Sequence, residues 1–263
     1  MNRKICFILV GLMVTGCFAG CGKKSRETLH QTALLQSLML GDYYGSVSVK
    51  ELKEYGDTGI GTFDKLNGEL IMLDGEVYAA LSDGTVQKMN DDVLIPFSDV
   101  TFLDNEYSET LSDVTSMEML KEKLTDIINR YGSNYFYMVK INGNYDYINY
   151  RSEYAQKEPY KPLADVMMTD QMIFDSENIS GTVVGLYCPD YMDGLNTAGW
   201  HFHFISDDKQ KGGHVLDVRF SQAEAVIDKT EKFKMDLPGD EMFKEADMTT
   251  DLDEAITKVE KNE

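Results

Sequence analysis

Gly199-Trp200-His201-Phe202-His203-Phe204-Ile205-Ser206, then Asp207-Asp208-Lys209-Gln210-Lys211-Gly212-Gly213, then His214-Val215-Leu216-Asp217-Val218-Arg219-Phe220, is the stretch that sets the reading of this chain. In its first segment aromatic residues alternate with imidazoles at a spacing of two. That is the period at which side chains of an extended chain return to the same face. A strand over Trp200 to Ile205 therefore aims His201 and His203 to one side and sends Phe202 and Phe204 into an apolar layer behind. The polar, glycine-containing segment after it reads as a turn, which folds a second strand, His214 to Phe220, back beside the first.

The chain holds four histidines, and three of them, His201, His203 and His214, fall in this one stretch, with His30 standing apart. Taken singly, each reads better as a hydrogen-bonded core residue. Together, two imidazoles on one strand face and a third from a neighbouring strand make a facial set of nitrogen ligands. Neutral imidazoles favour Zn2+ or another divalent first-row metal. Three protein ligands leave coordination positions open to water and substrate, the layout of a catalytic rather than a structural site.

Working outward, strand signals recur on both sides. From Ser46 to Phe102 short alternating or apolar runs, such as Glu69 to Asp74 and Glu76 to Ala80, are separated by Asp74-Gly75 and Asp83-Gly84, which read as hairpin turns. Tyr135 to Asn142, Tyr145 to Tyr150, Gly181 to Tyr187 and Ala223 to Ile227 continue this texture, with Asn142-Gly143 and Lys211-Gly212-Gly213 as turn signals. Helical spacing appears over Thr28 to Leu40, stopped by Gly41, and over Met117 to Tyr131, stopped by Gly132. A third short helix is expected over Asp251 to Val259, with Thr250 as its N-cap. The class is α+β, with two strand-rich units and a few helices. A mixed-sheet unit spans 28–132, a metal-binding, β-barrel-like unit spans 133–235, and an acidic tail, free or docked, spans 236–263.

The N-terminus has the pattern of a secretory signal over residues 1–20: two basic residues, Arg3 and Lys4, then an uncharged apolar run from Ile5 to Thr15 that is short for a bilayer span. Val14-Thr15-Gly16-Cys17 resembles a bacterial lipobox, and Phe18-Ala19-Gly20-Cys21 is a second candidate. The expectation is an exported, extracytoplasmic protein tied to the cell membrane through lipid on Cys17 or Cys21; an ordinary cleaved signal is the alternative. Cys6, Cys17 and Cys21 lie in or beside this segment, which leaves Cys188 as a small buried hydrophobe with no disulfide partner. Forty-five acidic against 25 basic residues give a formal net charge of −20, which argues against nucleic-acid binding. An anionic substrate then needs a local positive centre, such as a metal ion or an arginine.

Several motifs together carry a resemblance. Gly59-Ile60-Gly61-Thr62-Phe63, Leu66-Asn67-Gly68-Glu69-Leu70, Leu73-Asp74-Gly75, Pro96-Phe97, Tyr160-Lys161-Pro162-Leu163, Gly181-Thr182-Val183-Val184-Gly185, the stretch from Gly199 to Asp208 and Gly212-Gly213-His214-Val215 resemble, in order and spacing, the alpha-acetolactate decarboxylase family. The resemblance spans about residues 28 to 260. It implies a metal bound by His201, His203 and His214, with Glu69 and a C-terminal glutamate nearby, a substrate-contacting arginine at Arg151 and a pocket threonine at Thr62. Glu260 is the matching C-terminal glutamate, with Glu254 as the fallback, and this places the tail toward the active site. A homodimer is implied in the same way.

The substrate so implied, 2-acetolactate, is a β-keto acid with a neighbouring hydroxyl. Its carboxylate leaves as carbon dioxide only if the ketone oxygen accepts the electron pair, which an electrophilic metal at the three histidines makes feasible. Arg151 would hold the carboxylate or the developing anion, while Glu69 and Glu260 would manage protons or order water, giving acetoin. Two rivals share the histidine cluster: a zinc-capture lipoprotein without turnover, and an iron or manganese oxygenase on a β-barrel.

Overall fold

Asp74 and Gly75 both adopt left-handed backbone, with φ of +52° and +80°. A two-residue hairpin needs this pair of conformations to match the twist of its strands, and the two residues join Glu69–Leu73 to Glu76–Ala80 as antiparallel neighbours. The computed structural model describes residues 26–260, so the signal segment, Cys17 and Cys21 lie outside the described residues. In chain order the first elements are β1 (Thr28–Thr32), α1 (Leu35–Met39), β2 (Val47–Ser48), α2 (Val49–Tyr55), β3 (Thr58–Thr62), β4 (Glu69–Leu73), β5 (Glu76–Ala80), β6 (Val86–Lys88), β7 (Leu94–Ile95) and β8 (Ser98–Thr101). There follow β9 (Tyr107–Val114), α3 (Met117–Asn129), β10 (Phe136–Glu153), α4 (Leu163–Thr169), β11 (Gln171–Cys188), β12 (Gly199–Ser206), β13 (Gly212–Thr230), β14 (Lys232–Asp236), α5 (Glu241–Glu245) and α6 (Asp253–Glu260).

Two sheets make an α+β architecture. A seven-stranded mixed sheet runs β14-β1-β8-β3-β4-β5-β6, parallel only at β1 and β14. A five-stranded antiparallel sheet runs β10-β11-β12-β13-β9, and β10 also pairs with β13, so that it closes on itself like a small barrel. Sheet membership does not follow a single cut in the chain: β9 joins β13 in the ring, and β14 returns to the edge of the first sheet beside β1.

The ring is filled from within. Ser116 caps α3 by accepting from the Met119 N–H, and Met117, Leu120, Leu124, Ile127 and Ile128 pack against Tyr145, Phe202, Phe204 and Phe220. Each such buried apolar side chain contributes roughly 1.5–3 kcal/mol, so α3 is held by packing far more than by intrinsic propensity. A second cluster, including Ile60, Ile71, Val184, Leu186 and Ile205, glues the two sheets together. A third joins α1, α4 and α6 to Leu66 and Phe97 and closes one end of the inter-sheet space.

Three local expectations are corrected. Thr28 to Leu40 is not one helix: residues 28–32 form β1, and Ala33, at φ +61°, separates it from the short α1. Pairing with β14 and β8 on both edges outweighs the local helical spacing. Asn142-Gly143 is no turn but the middle of β10, where a Cβ on Gly143 would meet Ala223 Cβ at 2.8 Å. The glycine there serves close approach of strands. The reversal before β13 occupies residues 207–211, and Gly212 and Gly213 are already paired with Ile205 and Phe204.

Candidate metal centre

Along β12 the alternation is realised in space. Trp200, Phe202 and Phe204 enter the ring core, while His201 and His203 emerge on the opposite face, toward β4 of the other sheet. His214, near the start of β13, pairs directly with His203. His203 donates its Nδ1–H to the Leu70 carbonyl at 2.8 Å; a carbonyl only accepts, so the Nε2 of His203 carries a bare lone pair. His201 Nε2 lies 3.1 Å from that nitrogen and 3.0 Å from His214 Nδ1, and the candidate ligand atoms of the three residues fall within 4.8 Å of one another.

This donor set fits a cation. One His201 nitrogen can donate a proton to only one of its two neighbours, whereas a divalent ion satisfies all three lone pairs at once. Electrostatics agree. Burial drives all three imidazoles toward the neutral form that binds metal, with the Arg151 charge pushing the same way, and His201 falls to about 3.

Other side chains converge on the same cavity. Glu69, on β4 and 6% exposed, places Oε2 3.4 Å from His203 Nε2. Thr62 faces Glu69 across β3 and β4 and donates its hydroxyl to the Gly68 carbonyl at 2.9 Å. Arg151, on β10, pairs with His214 of β13 and donates from Nη2 to the Val259 carbonyl at 2.7 Å. Leu35, Leu38, Leu66, Phe97, Leu163 and Met167 form an apolar wall. Gly213 makes the crossing possible, since a Cβ on it would meet the Arg151 carbonyl oxygen at 2.3 Å.

The structure thus brings His201, His203, His214, Glu69, Thr62 and Arg151 to one cavity. Glu260 ends α6 directly after the cavity-lining Val259, but its side chain lies outside the described residues. Glu254 is exposed, in a separate surface depression with Ala164, Asp251, Ala255 and Lys258. The tail is docked through Ile256 and Val259. Glu153, 2% exposed and lining the cavity, was missed; its position two residues beyond Arg151 on a strand was the available signal. No sequence signal marks the Leu70 carbonyl. His30 lies elsewhere, on β1, stacked on Tyr55 and 3.1 Å from the Asp236 carboxylate. Cys188 is buried in the inter-sheet cluster.

Comparison with known proteins adds three findings. The profile of the alpha-acetolactate decarboxylase family matches residues 29–250. Alpha-acetolactate decarboxylase of Methanosarcina mazei is 38% identical over 235 residues, covering 89% of this chain and 81% of that one, and that of Raoultella terrigena is 37% identical over 237 residues, covering 89% and 90%. The crystal structure of alpha-acetolactate decarboxylase from Bacillus subtilis superposes with a TM-score of 0.84 at 31% identity, covering 88% of this chain and 98% of that one.

Proposed function

Since the chain belongs to the alpha-acetolactate decarboxylase family and decarboxylates acetolactate, we propose that it does so with a divalent first-row metal, zinc in the first instance, held by His201, His203 and His214. The observation that carries this reading is the convergence of three neutral imidazole nitrogens in a cavity shared with Arg151 and Glu69.

Removing carbon dioxide from 2-acetolactate leaves an electron pair that the ketone oxygen must accept. When bound, the metal supplies Lewis acidity toward the ketone and hydroxyl oxygens of the substrate. Arg151, fixed by the Val259 carbonyl, binds the substrate carboxylate and supplies local positive charge in a chain whose net charge of −20 repels anions. The Glu69 carboxylate, beside His203, holds the proton exchanged with the substrate hydroxyl. Glu260, at the end of α6, is the second proton-handling carboxylate. Thr62, whose hydroxyl proton is committed to the Gly68 carbonyl, offers a ligand lone pairs only. The apolar wall from α1, α4 and Phe97 excludes water, which strengthens each of these interactions. The products are acetoin and carbon dioxide.

The test is to add acetolactate to purified, zinc-loaded protein and follow acetoin and carbon dioxide, with a chelated sample as control. Metal binding without acetoin release would make the chain a capture protein instead. The proposal extends to location and assembly: the chain is exported and lipid-anchored through Cys17 or Cys21, supported by the apolar leader and its lipobox-like ends, and it is a homodimer, which the family resemblance alone implies. Palmitate label lost only when both cysteines are replaced, and a light-scattering mass of two chains, are the expected results.

A further inference from the structure

We propose that Glu153 is a positioning residue, whose carboxylate holds the Arg151 guanidinium in the orientation that receives the substrate carboxylate. The proposal rests on the reading of Arg151 as the carboxylate contact. Arg151 and Glu153 are two residues apart on β10 and share a strand face, and both line the cavity of the three histidines. They are buried, at 4% and 2% exposure, and Arg151 Nε lies 3.6 Å from Glu153 Oε1. Arg151 Nη2 is engaged separately by the Val259 carbonyl at 2.7 Å.

A guanidinium is planar, so the Val259 carbonyl on Nη2 and the Glu153 charge beside Nε together bias its orientation, and Nη1 is left for a ligand. The Val259 carbonyl fixes one edge but carries no charge to balance the buried cation. Glu153 supplies the compensating charge, at Nε. Without that charge a buried arginine turns toward water or other acceptors, because an unpaired buried ion is costly. In that case the positive end of the cavity survives in composition and is lost in geometry. Positioning of this kind acts on ligands that carry a carboxylate and leaves others untouched.

The experiment compares two non-reacting probes on zinc-loaded protein by calorimetry. One is 2,3-dihydroxy-2-methylbutanoate, the reduced analogue that keeps the carboxylate; the other is acetoin, which lacks it. For Glu153→Gln, affinity for the dihydroxy acid should fall about tenfold or more, while acetoin affinity stays within about twofold, with zinc content retained. Arg151→Gln should show the same discrimination. If Arg151→Gln loses affinity for the dihydroxy acid alone and Glu153→Gln binds both probes as the parent does, the positioning role is overturned and the Arg151 reading stands. If neither variant distinguishes the probes, both fall. Equal weakening of both probes by Glu153→Gln reduces Glu153 to a structural residue and overturns the proposal. Should Glu153→Gln fail to fold, Glu153→Asp, with the charge withdrawn by one methylene, must show the same selective loss.

Discussion

His203 on β12 is hydrogen-bonded through Nδ1 to the carbonyl oxygen of Leu70 on β4, at 2.8 Å. The contact spans the two sheets. It also selects the tautomer of a residue whose other nitrogen faces His201, so the packing of one sheet against the other leaves that nitrogen with a lone pair able to bind a metal.

Replacing His203 by alanine should therefore remove metal and turnover together. We expect zinc content near zero after dialysis and a rate below about 1% of the parent. Elemental analysis beside an acetoin assay checks this, and retained stoichiometric zinc would remove His203 from the ligand set.

Glu69→Gln keeps the shape of a buried side chain and removes its ability to take a proton. It should retain metal and fold while the rate drops by about 10²–10⁴. Steady-state kinetics on zinc-verified protein would decide, and a parental rate would exclude Glu69 from proton handling.

Chelation should lower the melting temperature as well as abolish activity, because an ion that binds only the folded chain stabilises it by mass action. Scanning calorimetry with and without chelator should show a shift that zinc reverses. An unchanged Tm would mean that the histidine cluster holds no metal.

Gly213→Ala places a methyl 2.3 Å from the Arg151 carbonyl oxygen. The strands carrying Arg151 and His214 must then separate, at a cost of about 1–3 kcal/mol, and zinc affinity should weaken with stability. Denaturant unfolding and a zinc titration test the two together; a neutral effect on both would show that this crossing tolerates a side chain.

Asp99 on β8 is fully buried and accepts from Asn196 Nδ2 at 2.9 Å; burial pushes its carboxyl up to about 7. Between the unfolded value of 3.8 and about 7, the folded chain holds a proton that the unfolded chain has lost. Stability should therefore fall as pH rises through that window and level off above it. Asp228, pushed up to about 8 by burial, extends the decline. Asp99→Asn should flatten the slope and gain up to about 4 kcal/mol on the parent at pH 8, read from urea unfolding of metal-free protein at pH 5 and 8. A parallel slope in the variant would show that Asp99 is not the group responsible.

Much of this was legible beforehand. The alternation over Trp200 to Phe204 separates imidazoles from aromatic core residues because strand geometry has a period of two whatever surrounds it. The Asp74-Gly75 hairpin and the α3 pattern are equally local. Less legible were β1, whose helical spacing yields to two flanking strands, and the unbroken β10, where Gly143 serves a neighbour rather than a turn. Glu153 belongs to no motif of its own, and only the strand face it shares with Arg151 marks it.

From its residues alone, the chain determined that His201 and His203 share a face and that His214 follows across a turn, since both are consequences of backbone geometry over a few residues. Only the tertiary structure decided which carbonyl orients His203, that Glu69 and Thr62 from the other sheet complete the cavity, and that the tail docks with Val259 on Arg151. Those relationships join residues scores of positions apart. They depend on how two sheets pack, which is settled by the summed burial of many side chains and not by any local pattern.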